Sequence, residues 1–118
     1  MLADDLIWAT RLADAITAAG ARPVRLRRLA DLAAVLGPGG EGSGAQRGLV
    51  IVDLTARAYD GVEAVRKATA SGARVVAVGQ HDDVPLRKAA IAAGAERVYT
   101  YRALFEDGPR TISAWLAR

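Results

Sequence analysis

Asp53 closes a run of four apolar residues, Leu49-Val50-Ile51-Val52. A run this short, apolar and mostly β-branched suits a central strand covered on both faces. In open α/β sheets, chemistry gathers where the carboxyl ends of strands meet their loops. Asp53 is therefore the carboxylate best placed to react or to bind. Asp60-Gly61 follows and opens a helix. Asp4 and Asp5 precede the first helix, where they serve as N-caps, as metal ligands, or as both.

Other chemistries find less support. There is no cysteine, which removes disulfides, thiol nucleophiles and zinc-thiolate sites. His81 is the one histidine; it sits in a polar loop with no identifiable acid–base partner and reads as a surface residue. Gly37-Pro38-Gly39-Gly40-Glu41-Gly42-Ser43-Gly44 is rich in glycine, as a phosphate cradle would be. It lacks a following Lys-Ser/Thr pair, and a strand rather than a helix comes next, so it reads as a flexible connection. No catalytic triad, metal-ligand cluster or P-loop is present, so an independent enzyme is not expected.

The elements around these residues follow from periodicity. Leu6–Ala19 is a helix whose Trp8, Leu12, Ala15, Ile16 and Ala19 form one stripe, with Trp8 facing the core or lining the rim of the pocket. Gly20 ends it. Pro23–Arg28 is an edge strand, since Pro is tolerated at edges and its arginines discourage edge-to-edge pairing. Without interleaved aromatics, this basic cluster reads as a solvated edge and not as a nucleic-acid patch. Leu29–Leu36 is a short helix, Leu49–Asp53 a strand and Gly61–Ser71 a helix with a capping box of Asp60 and Glu63. Arg74–Val78 is a buried strand. Val84–Ala93 is a helix with Pro85 in its first turn and Gly94 past its end. Arg97–Tyr101 is the last strand, with Tyr99 and Tyr101 as packing residues. Pro109–Ala117 is the last helix, with Ile112, Trp115 and Leu116 on its inner side.

Strand–helix alternation predicts a parallel sheet with right-handed crossovers. A leading strand is due before the first helix, yet only Met1-Leu2-Ala3 is available. Either that strand is a stub, or its start lies upstream, or another chain completes the pairing. The 118 residues suffice for one domain with a real core. Half of them are hydrophobic but only 5% aromatic, so Ala, Val and Leu build that core. The start lacks the pattern of a signal peptide, and no apolar run approaches bilayer length, which points to the cytoplasm. The net charge of +3 is spread along the chain.

In this arrangement the sequence resembles the response-regulator receiver domain over essentially its whole length, as residues 1–118. Ala3-Asp4-Asp5 before a helix is similar to that family's acidic pair. Val50-Ile51-Val52-Asp53-Leu54 with Asp60-Gly61 is similar to its phosphoacceptor strand and downstream Asp-Gly. Ala92-Ala93-Gly94-Ala95-Glu96-Arg97-Val98 is similar to its Ala-Gly-Ala turn into the last strand. The resemblance implies a flavodoxin-like, doubly wound parallel sheet of order 2-1-3-4-5 with a short or truncated first strand. It further implies Asp53 as phosphoacceptor, served by a histidine kinase. Magnesium would be held by Asp4, Asp5 and Asp53 with the backbone carbonyl of Thr55.

The chain departs from that pattern on the phosphate side. Gly79-Gln80 stands where the family has Ser or Thr, and Tyr101-Arg102 where it has Lys, usually followed by Pro. Val98 takes the aromatic switch position, and Arg57 the place of a frequent Pro. The acidic half of a phosphorylation site remains and the phosphate-binding half does not, so little besides a metal would offset a developing phosphoryl charge. The expectation is an atypical receiver, a pseudo-receiver, that acts through a signalling protein partner or a homodimer. Its interaction face is expected around Tyr99, Tyr101, Leu104 and Phe105. The alternative is a conventional receiver phosphorylated on Asp53 with magnesium. A flavin or nucleotide binder is disfavoured, because Asp4-Asp5 would repel phosphate after the first strand.

Overall fold

The structure is a computed structural model that describes residues 1–3, 6–36, 49–57, 59–80 and 82–117. Asp4, Asp5, the glycine-rich stretch and His81, on which several expectations rest, lie outside the described residues. The elements are α1 (Leu6–Ala18), α2 (Leu29–Leu36), β1 (Leu49–Asp53), α3 (Gly61–Ala70), β2 (Arg74–Gly79), α4 (Val84–Ala93), β3 (Val98–Thr100) and α5 (Tyr101–Leu116).

The apolar runs form a parallel sheet, β1-β2-β3 in order, with Val50 opposite Val75 and Ala77 opposite Val98. Two single bridges continue it. Leu2 pairs in parallel with Val52 on one side and with Leu26 on the other. Across the sheet the extended segments thus run Leu26, Leu2, β1, β2, β3, which in chain order is 2-1-3-4-5. Met1–Ala3 takes the first-strand place, tied in by Leu2 N–H to Ile51 (2.8 Å) and Ala3 N–H to Leu26 (3.0 Å). The expected strand Pro23–Arg28 shrinks to the bridge at Leu26. Its described partner offers three residues, and Pro23 has no N–H to give.

Side-chain alternation sends each strand's residues to two cores. Ile51, Val76 and Val78 face α1 and α5, where Leu12, Ile112 and Trp115 are buried. Leu2, Val50, Val52, Val75 and Ala77 face the other layer, with Leu32, Val65 and Ala90 of α2, α3 and α4. This is the doubly wound arrangement expected of continuous apolar strands.

Two local expectations change. The capping box before α3 is half formed. The Asp60 carboxylate accepts from Glu63 N–H at 3.0 Å, while the Glu63 carboxylate turns outward and pairs with Arg66. The last helix starts at Tyr101, not Pro109. Thr100 caps it by accepting from Ala103 N–H at 3.0 Å, which also shortens the last strand to Val98–Thr100. Two helical pieces meet at Asp107, whose backbone is non-helical, and Pro109 stands just after that break.

Gly94 ends α4 at φ +123°, and a Cβ there would lie 2.4 Å from Thr69 Oγ1 of α3. Backbone strain and overlap act together, so Gly94→Ala is expected to destabilise by about 2–4 kcal/mol in urea unfolding. Gly72→Ala, at φ +90° with open space around it, should cost only about 1 kcal/mol. Equal costs would show that the α3–α4 contact has slack. The Met1 amine donates to the Val24 carbonyl at 2.8 Å, and burial lowers its pKa from 8.0 to about 6. Between those values the unfolded chain takes up a proton that the folded chain refuses. Stability is therefore expected to fall by about 2 kcal/mol as the pH drops from 8 to 6. N-acetylated chain should lack that slope; a slope unchanged by acetylation would assign it elsewhere.

Candidate functional site

β1 delivers Asp53 to the carboxyl edge of the sheet, where its side chain is only 3% exposed. A buried carboxylate is costly unless it is well hydrogen-bonded. Asp53 Oδ1 accepts from Thr55 N–H (3.0 Å), from the Thr55 hydroxyl (3.1 Å) and from the Tyr101 hydroxyl. The two hydroxyls also touch each other. Each carries one proton. Tyr101 gives its proton to Asp53, so Thr55 gives its own either to Asp53 or to the Tyr101 oxygen. The result is a neutral network of donors closing on one carboxylate oxygen.

The surroundings fix these groups. Tyr101 is the first residue of α5, so the Thr100 cap sets its backbone directly. The Trp8 ring of α1 meets the Tyr101 ring edge-on, with centroids 4.8 Å apart. Tyr59 holds the edge from the other side. Its hydroxyl lies between the carbonyls of Leu2 (2.7 Å) and Asp53 (2.8 Å), donating to one at a time and tying Met1–Ala3 to β1. The loop after β1 then runs against the start of α3. A Cβ on Gly61 would stand 2.7 Å from Leu54 Cα, so the Asp-Gly pair combines a cap with the one residue thin enough for that contact.

Asp53 lies where the sequence places it, and Thr55 beside it turns an amide and a hydroxyl toward its carboxylate. Asp4 and Asp5, the other expected magnesium ligands, lie outside the described residues. Among the described residues no three His, Cys, Asp or Glu are grouped to hold a metal ion. The donors around Asp53 all present their protons to Oδ1. Gly79 ends β2 as a buried residue with no hydroxyl to offer. A Cβ there would make ordinary contacts, the nearest at 3.4 Å to Leu54 Cδ1, so a small side chain fits.

The expected interaction face divides. Tyr99 packs against the α1–α5 core, Tyr101 turns to Asp53, and Leu104 is buried. Phe105 is 60% exposed, with the Arg11 guanidinium 4.0 Å above its ring. The cause is the early start of α5, whose inward positions run Leu104, Gly108, Ile112 and Trp115 at helical spacing and leave Phe105 outside. Residue types alone did not reveal the roles of Tyr59 and Tyr101. The available signal was position: Tyr101 stands where the resemblance puts a cation, and Tyr59 directly before Asp60-Gly61.

Among the described residues no helix is long and apolar enough to cross a membrane. No protein-family model and no curated protein matches the sequence. Solved structures do match it. A two-component response regulator from Clostridium difficile superposes with a TM-score of 0.77 at 12% identity, over 99% of this chain and 93% of that one. A response regulator receiver domain from Rhodospirillum rubrum gives 0.75 at 21%, over 98% and 87%. The Mn(2+)-bound form of response regulator Rcp1 gives 0.75 at 19%, over 98% and 91%. The chain has the fold of response-regulator receiver domains.

Proposed function

We propose that the chain is a receiver-fold signalling module that works through protein–protein contact and not through phosphoryl transfer. The carrying observation is the Tyr101 hydroxyl on Asp53 Oδ1. To attack phosphorus, a carboxylate oxygen must be free to give up an electron pair, and hydrogen bonds to it oppose that. Transfer also needs positive charge against the three equatorial oxygens of the phosphoryl group. A phenol supplies none, and Gly79 supplies no hydroxyl. Arg102, one residue on, is paired with Glu106 at 3.0 Å and points its charge along the surface of α5.

A second reading has one observation in its favour. All the hydrogen bonds to Asp53 among the described residues go to Oδ1, which leaves Oδ2 for attack. Under it, Asp53 takes a phosphoryl group from a histidine kinase with magnesium. The manganese in Rcp1 is a property of that protein, and it lends this reading support by likeness of fold.

Acetyl phosphate and magnesium separate the two. The native chain is expected to stay unlabelled, and Trp8 emission to ignore beryllofluoride, because Trp8 rests on a Tyr101 that does not move. Gly79→Ser combined with Tyr101→Lys restores the hydroxyl and the cation in space that accepts them. That variant should gain labelling by about 100-fold or more, corresponding to about 2.7 kcal/mol of transition-state stabilisation. Asp53→Asn should abolish the gain. Magnesium-dependent labelling of the native chain at Asp53 would establish the second reading instead.

A further inference from the structure

Among the described residues the sheet ends, on the side away from β3, at the extended segment around Leu26. The inner side of that segment is engaged. Leu26 N–H donates to the Met1 carbonyl (2.9 Å), and the Leu26 carbonyl accepts from Ala3 N–H (3.0 Å). The Val24 carbonyl accepts from the Met1 amine (2.8 Å). In a parallel pair only alternate residues turn their amide and carbonyl to a given neighbour. Val24 and Leu26 face inward, so Arg25 and Arg27 turn theirs outward. No backbone group among the described residues meets those two amides and two carbonyls. They repeat about 6.6 Å apart along the segment. Pro23 closes the row of donors, since it has no N–H.

The side chains add charge to this edge. Leu26 packs against the α2–α3 core, so alternation puts Arg25 and Arg27 on the α1 side. Both are exposed. Arg25 reaches the Thr10 hydroxyl of α1 at 3.4 Å, a neutral partner. Neither guanidinium forms an ion pair among the described residues, whereas Arg28 beside them pairs with Asp31 at 3.4 Å. Backbone donors and acceptors thus lie open beside two positive charges that no carboxylate offsets.

We propose that this edge takes up an extended acidic segment of a partner protein as an added strand. This rests on the reading that the module works through protein contact, and it names the surface and the chemistry of the partner. The main chain of the segment would bond to the amides and carbonyls of Arg25 and Arg27. Carboxylates at alternate positions would stand opposite the two guanidinium groups. Small apolar residues between them would lie beside Val24 and Leu26. Charge decides between occupants. A second copy pairing through the same edge would set arginines against arginines, and like charges directly opposite are destabilising. The residues that guard the edge against copies therefore favour an acidic strand. A partner helix has already spent its backbone groups on itself and cannot answer these four.

The probe is a blocked peptide of about eight residues that alternates Val and Glu, titrated into the full ¹⁵N-labelled chain. Amide shifts are expected to cluster on Val24–Arg27. With peptide at about ten times its Kd, hydrogen exchange at the Arg25 and Arg27 amides should slow by about tenfold. Arg25→Glu with Arg27→Glu should weaken binding about tenfold or more. A peptide with Lys for Glu should not bind, and one N-methylated along its pairing edge should lose both binding and protection. Equal binding of the N-methylated peptide would reveal plain anion attraction and overturn the proposal. So would equal binding of the Lys peptide, shifts centred elsewhere, or no shifts at millimolar peptide with the chain folded. Repeating the titration on the chain treated with acetyl phosphate and magnesium keeps the two claims apart. Binding that appears only after Asp53 is labelled would overturn the phosphorylation-independent reading and leave the edge standing. Binding absent in both states would remove the edge alone.

Discussion

Asp53 is a carboxylate sealed at the end of a β-strand, and a sealed carboxylate must be given hydrogen bonds or be expelled. Much of the site's architecture meets that demand. Thr55 bends the loop back so that its own amide and hydroxyl reach Oδ1. Tyr101 crosses from the start of α5 to the same oxygen, and Trp8 of α1 backs its ring. Hydrogen bonds to a charged group contribute roughly 1.5–3 kcal/mol each when buried, enough in combination to hold a charge that burial disfavours. A site satisfied this way holds its carboxylate in one place.

The fold places these groups without long loops. Strict alternation in β1 and β2 divides seven apolar residues between two cores, so the strands are packed on both faces where the site begins. Met1–Ala3 sits between Leu26 and β1, and Tyr59 closes its end by bridging Leu2 and Asp53. Because α5 follows β3 with no intervening residue, the backbone of Tyr101 is set by the sheet and the cap together. The latch is therefore an outcome of connectivity as much as of side-chain choice.

Much of this was legible in the residues. Leu49–Asp53, Leu29–Leu36 and Val84–Ala93 keep the bounds that their apolar periods and caps predict. The strand order implied by resemblance is visible across the two bridges and the sheet. What was not legible has physical causes. Pro109 is a strong start signal, and it does mark the second piece of α5, but Thr100 is also a good N-cap and starts a helix eight residues earlier. That shift turned Leu104 inward and Tyr101 to Asp53, which leaves Phe105 as the exposed member of the expected interaction face. Tyr101 looked like a packing residue because a phenol's partner comes from tertiary contact, 48 residues away in the chain.

The account turns on whether Tyr101 and Asp53 act as a pair. A double-mutant cycle measures that coupling directly, using urea unfolding of the native chain, Asp53→Ala, Tyr101→Phe and the double variant. The account predicts a coupling of about 1–3 kcal/mol, with the Tyr101→Phe cost largely vanishing once Asp53 is gone. Costs that simply add, within about 0.3–0.5 kcal/mol, would contradict it and leave Asp53 to Thr55 alone.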